Sequence, residues 1–387
     1  MLLTLGIERL IASGRLAGKR IGLVSNPASV DHQSRHIADR LSEQPGVKLV
    51  ALFGPQHGFH ANVQDNMIET PNAQHARLDI PIYSLYSDTR EPTAEMLSNL
   101  DVLVIDLQDV GTRVYTYIHT MANCLRAAKR EAMQVVVCDR PNPIGGEAVE
   151  GPMLRPGYES FVGQFQIPLR HGLTIGELAW LFNEHFDIGA ELEVVPLDGW
   201  SRAMYYDETD LPWIFPSPNL PTLDSAIVYP GCVLFEGTNL SEGRGTTRPF
   251  ELIGAPWLHA DDLTGTLNDL SLPGVVFRST HFEPTSQKHA GQTCGGCQIH
   301  VTNRQVYQPV LSAVALLQAA QQAAPTRFGW RNPPYEYEQE KIPFDILSGS
   351  DQLRLQIEAE FPASEISASW LPDIVAFETI RKEFLLY

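Results

Sequence analysis

The chain contains no uninterrupted apolar run of about 18 residues, so nothing in it reads as a membrane-spanning helix. It is also short of positive charge. Its 28 Lys and Arg stand against 46 Asp and Glu, a formal net charge of −18. That balance excludes a protein built to grip a phosphate backbone, so no nucleic acid is expected as partner. Any anionic ligand would need locally placed arginines. Cysteine is scarce and odd in number: Cys124, Cys138, Cys232, Cys294 and Cys297. This is no disulfide framework, and Cys294-Gly-Gly-Cys297 has no second pair at zinc spacing. The glycine-rich run from Glu236 to Thr247 lacks the Lys-Ser/Thr of a P-loop. No repeats or low-complexity tracts occur. The N-terminal residues show no basic segment ahead of an apolar core, so no signal peptide is read. A cytoplasmic location is therefore expected, with a periplasmic or secreted one as the alternative.

What remains is an ordinary folded composition, 43% hydrophobic and 19% charged, over 387 residues. That length suggests two domains. Continuous apolar runs predict strands at 20–25, 47–53, 82–86, 102–107, 134–139 and 191–196. Helical spacing predicts helices at 6–17, 34–42, 93–97, 116–132 and 173–186. Strands that are apolar throughout and alternate with helices predict an α/β fold, a Rossmann-like parallel sheet covered on both faces. From Leu211 the texture turns dense in proline and aromatics. The boundary is expected near Asp224, giving a Rossmann-like catalytic domain over 1–223 and a smaller α/β (α+β) domain over 224–387 closing the cleft. The second is expected to open with a loop-rich stretch, then strands at 275–277 and 298–301 and helices at 310–323 and 366–387.

Three predicted strands end in polar residues at what must be one edge of the sheet: Gln56/His57, Asp106/Gln108/Asp109 and Asp139/Arg140/Asn142. Ligands of open α/β sheets sit beyond the carboxyl ends of strands. The stretch after the second strand, LFGPQHGFHANVQDNMIET, adds Gln64, Asp65, Asn66 and Glu69. Each group has a structural alternative. Asp109 could cap the following helix, Arg170-His171 could form a salt bridge or cap, and Trp200, Trp213 and Trp257 could be core residues rather than sugar-stacking platforms. The second domain adds Glu236, Asn239, Glu242, Arg244 and Glu251 between glycines that allow close backbone approach to a ligand.

Taken together, GKRIGLVSNPASVD, LFGPQHGF, DVLVIDLQDVGTRVYTYIHTM, DRPNPIGG, IPLRHGLTIGELA, PWIFPSPNLPT and VYPGCVLFEGTNLSEGRGTTRPFE resemble the exo-β-N-acetylmuramidase family of peptidoglycan glycoside hydrolases over nearly the whole chain. The resemblance implies a Rossmann-like domain and a smaller one with the site in the cleft between them. It implies removal of terminal β-N-acetylmuramic acid from bacterial peptidoglycan fragments in cell-wall recycling, with no cofactor. In many members the first motif reads GPEHG, and its Glu is the expected acid; this chain has Gln56. An amide cannot protonate a leaving oxygen as a carboxylic acid does.

On that basis Glu69 or Glu242 is expected as acid and Asp106 or Asp109 as the orienting carboxylate. His57 would bind the sugar or tune the acid. Arg140, Arg170 and Arg244 are candidates for the lactyl carboxylate of muramic acid. Gln56, Gln64, Asp65, Asn142, His171 and Asn239 complete the expected substrate contacts. The alternatives are a carbohydrate-binding protein that has lost the chemistry, a hydrolase of a related amino sugar, and a metal-dependent hydrolase using His57, Asp106 and Asp109. A monomer or homodimer is expected.

Overall fold

The computed structural model describes residues 3–65 and 67–387; Asn66, one of the polar residues singled out above, lies outside them. The first half is built on seven strands in the order β3-β4-β2-β1-β5-β6-β9. In chain order these are β1 (Arg20–Ser25), β2 (Lys48–Gly54), β3 (Ala73–Gln74), β4 (Pro81–Ser84), β5 (Val102–Asp106) and β6 (Gln134–Cys138). β7 (Glu150–Met153) and β8 (Pro168–Arg170) pair separately as a ribbon, and β9 (Leu192–Val195) completes the sheet edge. All neighbours in the large sheet run parallel except the short β3.

Alternation along the strands explains the layers. Val104, Val136 and Cys138 face the cluster that includes Leu5, Ile7 and Leu10 of the helix Gly6–Ala12. Leu103, Ile105, Val135 and Val137 face the opposite cluster, with Ile118, Met121 and Leu125 of the helix Tyr117–Arg130. Both faces are covered, which is why these strands read as continuous apolar runs. The second cluster continues without a break into Ile227, Phe235, Phe250 and Val310. One core therefore joins the two halves.

The second half holds an antiparallel sheet, β10-β12-β11, of β10 (Leu252–Ala255), β11 (Val275–Phe282) and β12 (Cys294–Val301). It departs from the expected loop-rich opening. Leu223–Cys232 is helical despite Pro230, and Val233–Gly237 continues as a 3-10 turn. Thr222 caps this helix, accepting the Ser225 backbone N–H. The predicted C-terminal helix breaks at Trp370 and ends at Arg381, followed by a single 3-10 turn. The final residues then return to the first sheet, where the Tyr387 hydroxyl donates to Asp139 at 2.7 Å. All five cysteines are free and buried. Among the described residues no helix is long and apolar enough to cross a membrane.

Candidate active site

β2 ends at Gly54, where a Cβ would stand 2.5 Å from the Phe59 amide nitrogen, so only glycine lets the chain fold back so closely. The reversal is a turn in which the Gly58 N–H donates to the Pro55 carbonyl at 3.0 Å. His57 takes its third position with φ +71°, a conformation normally left to glycine. The turn sets Gln56 and His57, 5% and 8% exposed, against the start of the helix Tyr117–Arg130.

Facing them, the second half contributes two pieces. Glu236 sits on the 3-10 turn Val233–Gly237. Tyr335 and Glu338 exchange backbone hydrogen bonds at 2.9 Å around a two-residue loop, Glu336-Tyr337, with φ +44° and +72°. Positive φ at both central positions is the geometry for which Asn-Gly is preferred, so a glutamate and a tyrosine here are under strain. Phe250, at φ +66°, joins His57 and Glu336 as the third positive-φ residue other than glycine lining the same cavity. Such strain concentrates where a fold holds groups for function.

Gln56, His57, Thr116, Glu236, Arg244 and Glu336 surround an inner cavity of about 40 Å³. That is room for a few waters and too little for a sugar ring. The cavity shares Asn219 with an open groove of about 720 Å³ and shares Glu236 and Arg244 with a pocket of about 340 Å³.

The two glutamates of the cavity are in opposite states. Burial pushes the Glu336 carboxyl up to about 8, and neighbouring Glu236 adds to this. Hydrogen bonds from Tyr86 and Gln56, each 3.0 Å, only partly offset the rise. Burial also pushes Glu236 upward, but there the charge and hydrogen bond of Arg244 (2.6 Å), with Tyr335 (2.7 Å) and Lys288, prevail. Glu236 is held below the ordinary glutamate range. At neutral pH one carboxyl is protonated and the other ionised, which is how an acid and its partner carboxylate are told apart. The amide of Gln56 is fixed at both ends, its Nε2 donating to Glu336 and its Oε1 accepting from Thr116 at 2.7 Å. His57 is driven down to about 4 by burial. Its Nδ1 lies 2.7 Å from the Val63 carbonyl, which can only accept, so Nδ1 carries the proton and Nε2 is left as an acceptor.

Of the residues singled out from sequence, Gln56, His57, Glu236 and Arg244 line this cavity. Asn239 and Glu242 line the adjoining pocket, where Glu242 stands between Lys288 (2.8 Å) and Arg244 (3.4 Å). Gln64 lines the open groove, and Asp65 accepts from Gln287 of the second half at 2.9 Å.

The structure places the remaining candidates away from this cavity, for reasons that are local. Asp106 and Arg140, assigned separately to catalysis and to binding, bind each other through two contacts of 2.8 Å and are almost wholly buried. Ser29 donates to the Asp106 carbonyl and Asn26 accepts the Gln108 N–H, so this part of the sheet edge is filled by protein. Asp109 accepts the Gly111 N–H at 2.8 Å and lies 3.3 Å from His171, which is fully buried and accepts the Leu173 N–H. Asn142 bonds Leu173 and Ile144, and Arg170 donates to the Ile144 carbonyl. Glu69 is exposed and pairs with Arg90 at 2.8 Å. None of these residues lines the inner cavity. Trp200 and Trp213 pack edge-on against Tyr387 and Tyr206, in the structural alternative.

Sequence reading missed Glu336, Tyr335 and Tyr86. The available signal was NPPYEYEQE, acidic and aromatic residues alternating behind a proline pair in a segment of no regular period. Among the described residues no group of three His, Cys, Asp or Glu could hold a metal ion. The expected trio of His57, Asp106 and Asp109 is accordingly not assembled.

One carboxyl pushed toward its protonated form and one held toward its ionised form around a single cavity can serve as an acid and its partner carboxylate. Comparison with known proteins supplies the family. Residues 21–224 match the family model described as exo-β-N-acetylmuramidase NamZ, N-terminal, and residues 227–387 match its C-terminal counterpart. The peptidoglycan β-N-acetylmuramidase NamZ of Bacillus subtilis (strain 168) is 46% identical over 99% of this chain and 91% of its own length. Crystal structures of two DUF1343 family proteins from Bacteroides fragilis NCTC 9343 superpose over 100% of this chain and 99% of theirs. Their TM-scores are 0.89 and 0.78, at 36% and 30% identity. The chain belongs to the NamZ exo-β-N-acetylmuramidase family.

Proposed function

We propose that this protein is an exo-acting glycoside hydrolase that removes terminal β-N-acetylmuramic acid from peptidoglycan fragments, with Glu336 as general acid and Glu236 as the partner carboxylate. The observation that carries the assignment is the placement of both groups in one cavity with opposite partners, Glu236 paired with the Arg244 guanidinium and Glu336 accepting from the neutral Tyr86 and Gln56. Glu336 protonates the glycosidic oxygen as the bond to the anomeric carbon breaks, and Glu236 stabilises the positive charge that develops on the sugar. The 2-acetamido carbonyl oxygen of the muramic acid is itself a competent nucleophile, so one acid and one orienting carboxylate suffice. Water then opens the cyclic intermediate, returning a proton to Glu336.

This reading accounts for Gln56. The glutamine cannot be the acid, but its Nε2 holds Glu336 by a hydrogen bond, so the acid stands one side chain away from the family's usual position. It also revises the division of labour. With a boundary at 223/224, both catalytic carboxyls belong to the second unit, while the first supplies Gln56, His57 and Thr116. A cytoplasmic location and a monomeric or dimeric state belong to the same proposal.

The test is release of 4-nitrophenol from its β-N-acetylmuramic acid glycoside, with the β-N-acetylglucosamine glycoside alongside. Turnover of the muramic substrate is the expected result, with Glu336→Gln losing more activity on a disaccharide than on the 4-nitrophenyl glycoside. No turnover of either glycoside by folded protein would overturn the hydrolase reading.

A further inference from the structure

The pocket of about 340 Å³ beside the inner cavity has an unusual charge balance for so acidic a protein. Its lining carries two carboxylates, Glu236 and Glu242, against three cations, Arg244, Lys288 and Arg331. Two of the cations are already paired with carboxylates. Lys288 has three donors, and they go to the Phe235 carbonyl (2.7 Å), the Leu240 carbonyl (2.9 Å) and Glu242 (2.8 Å). Arg244 is held by Glu236 and Glu242.

Arg331 differs. Its backbone N–H donates to the Gly237 carbonyl at 2.8 Å, one residue beyond Glu236, in a segment where Trp330 bridges Thr238. Its guanidinium lies 5.9 Å from the Tyr335 ring centre. Among the described residues its side chain has no hydrogen bond and no ion pair. A half-buried guanidinium with five free donors, anchored beside a catalytic carboxylate, is a fork matched to a carboxylate of the ligand.

We propose that Arg331 is the residue that selects an acidic sugar, by binding the carboxylate substituent of a ring seated outside the inner cavity, where it meets the larger pocket at Glu236 and Arg244. The inference rests on the hydrolase reading for the identity of the ring, but its charge argument stands without catalysis. The pocket adjoins the cavity through the Glu236–Arg244 pair that both share, so a short carboxylate-bearing substituent can enter it while the ring stays at that junction. It replaces the three arginines expected from sequence: Arg140 is bound to Asp106, Arg170 points its Nη2 at the Ile144 carbonyl, and Arg244 is held by two glutamates.

The experiment measures binding of free N-acetylmuramic acid and of N-acetylglucosamine by calorimetry, in the wild type, Arg331→Met and Arg331→Lys. The wild type is expected to prefer the acidic sugar by about tenfold or more, the worth of a charge-assisted bidentate contact. Arg331→Met should erase that preference while binding the neutral sugar unchanged, and Arg331→Lys should restore part of it. Retention of the full preference by Arg331→Met, or its absence from the wild type, would overturn the proposal. Equal loss of both sugars would do so as well, since it would mark a structural role. Turnover of the two 4-nitrophenyl glycosides separates this outcome from the parent reading. An inactive wild type that still shows an Arg331-dependent preference would sink hydrolysis and leave the selector standing. An active wild type whose preference ignores Arg331 would do the reverse.

Discussion

Two regions of this molecule bury carboxylates beyond strand ends, and they do so in opposite ways. Above β5 and β6, Asp106 meets Arg140 in a two-pronged ion pair closed off by Ser29, Asn26 and Val30. Beyond β2, Glu336 is buried and accepts hydrogen bonds from a tyrosine and an amide, next to open space. In the first the charge is matched and no room remains. In the second the charge is unmatched, the group keeps its proton, and there is room for a reactant. Burial alone does not distinguish structure from chemistry; compensation and free volume do. The first region is where the order of the strands predicts a ligand crevice, and this fold fills it with its own side chains.

If the comparison is right, the largest effect comes from the unmatched carboxyl. Glu336→Gln keeps the shape and removes the proton. It should lower kcat by about 10²- to 10⁴-fold on a disaccharide, the usual contribution of a general acid. The loss should be smaller on the 4-nitrophenyl glycoside, whose leaving group needs little protonation. Equal losses on both substrates would deny Glu336 the role of acid.

The matched region should break differently. Asp106→Ala leaves the Arg140 guanidinium buried and unpaired, which costs about 3–5 kcal/mol. It should move the urea midpoint strongly while the fraction still folded keeps nearly normal KM. A variant with native stability and no activity would return Asp106 to the catalytic list.

Titration sharpens the same contrast. The basic limb of kcat/KM should fall near pH 8, where Glu336 loses its proton. On the acid side, activity should persist below the ordinary glutamate range, because Glu236 is held ionised there. Stability follows the linkage sign for a raised carboxyl. Glu336 binds its proton more tightly folded than unfolded, so its stabilisation is complete below about pH 4 and is lost as pH rises through about 8. Asp139 and Glu150, both raised to about 7 by burial, act in the same direction. The drop in Tm between about pH 5 and about pH 9 should therefore shrink in Glu336→Gln. An unchanged drop would mean that Glu336 is ionised in the native state.

Restoring the glutamate common in the family is a gentler probe. Gln56→Glu would set two carboxyls within a hydrogen bond of each other, so that the pair shares a proton and its last dissociation moves upward. Activity should be kept, with the basic limb displaced above pH 8. A hundredfold gain in kcat would mean instead that position 56 is the true seat of the acid and that Glu336 only supports it.

These contrasts show what could be read beforehand. β1 was legible to the residue, and the interior of the parallel sheet nearly so, because strands buried on both faces leave continuous apolar runs. The run from Val228, expected to be loop-rich, opens instead inside the helix Leu223–Cys232, where Pro230 and Gly231 fall late in a capped, buried helix. Gln56, His57 and Arg244 were found because glycine and proline punctuate polar stretches around them. Asp106 and Glu336 could not be ranked. A carboxylate matched by an arginine 34 positions away looks, in sequence, like one that is not matched at all. Glu336 owes its state to burial, on a strained two-residue turn packed against Gln56, 280 positions distant, and neither the turn nor the packing leaves a local pattern.

The smallest expected effect tests the comparison from the outside. Glu69 belongs to the same polar stretch as Gln56 and was a natural candidate for the acid, but it is exposed and paired with Arg90. Arg90 in turn lies over the rings of Tyr86 and Tyr337, at 4.7 and 4.1 Å, and Tyr86 holds Glu336. Glu69 reaches the chemistry only indirectly, through that chain of contacts and through the Tyr337 hydroxyl, which donates to it at 3.4 Å. An exposed pair contributes at most about 1 kcal/mol, so Glu69→Gln should leave kcat/KM within about twofold and the pH profile in place. A loss as large as that of Glu336→Gln would mean that an exposed carboxylate of the first unit does the work assigned to a buried one of the second. The rule that unmatched burial marks the acid would then fail for this protein.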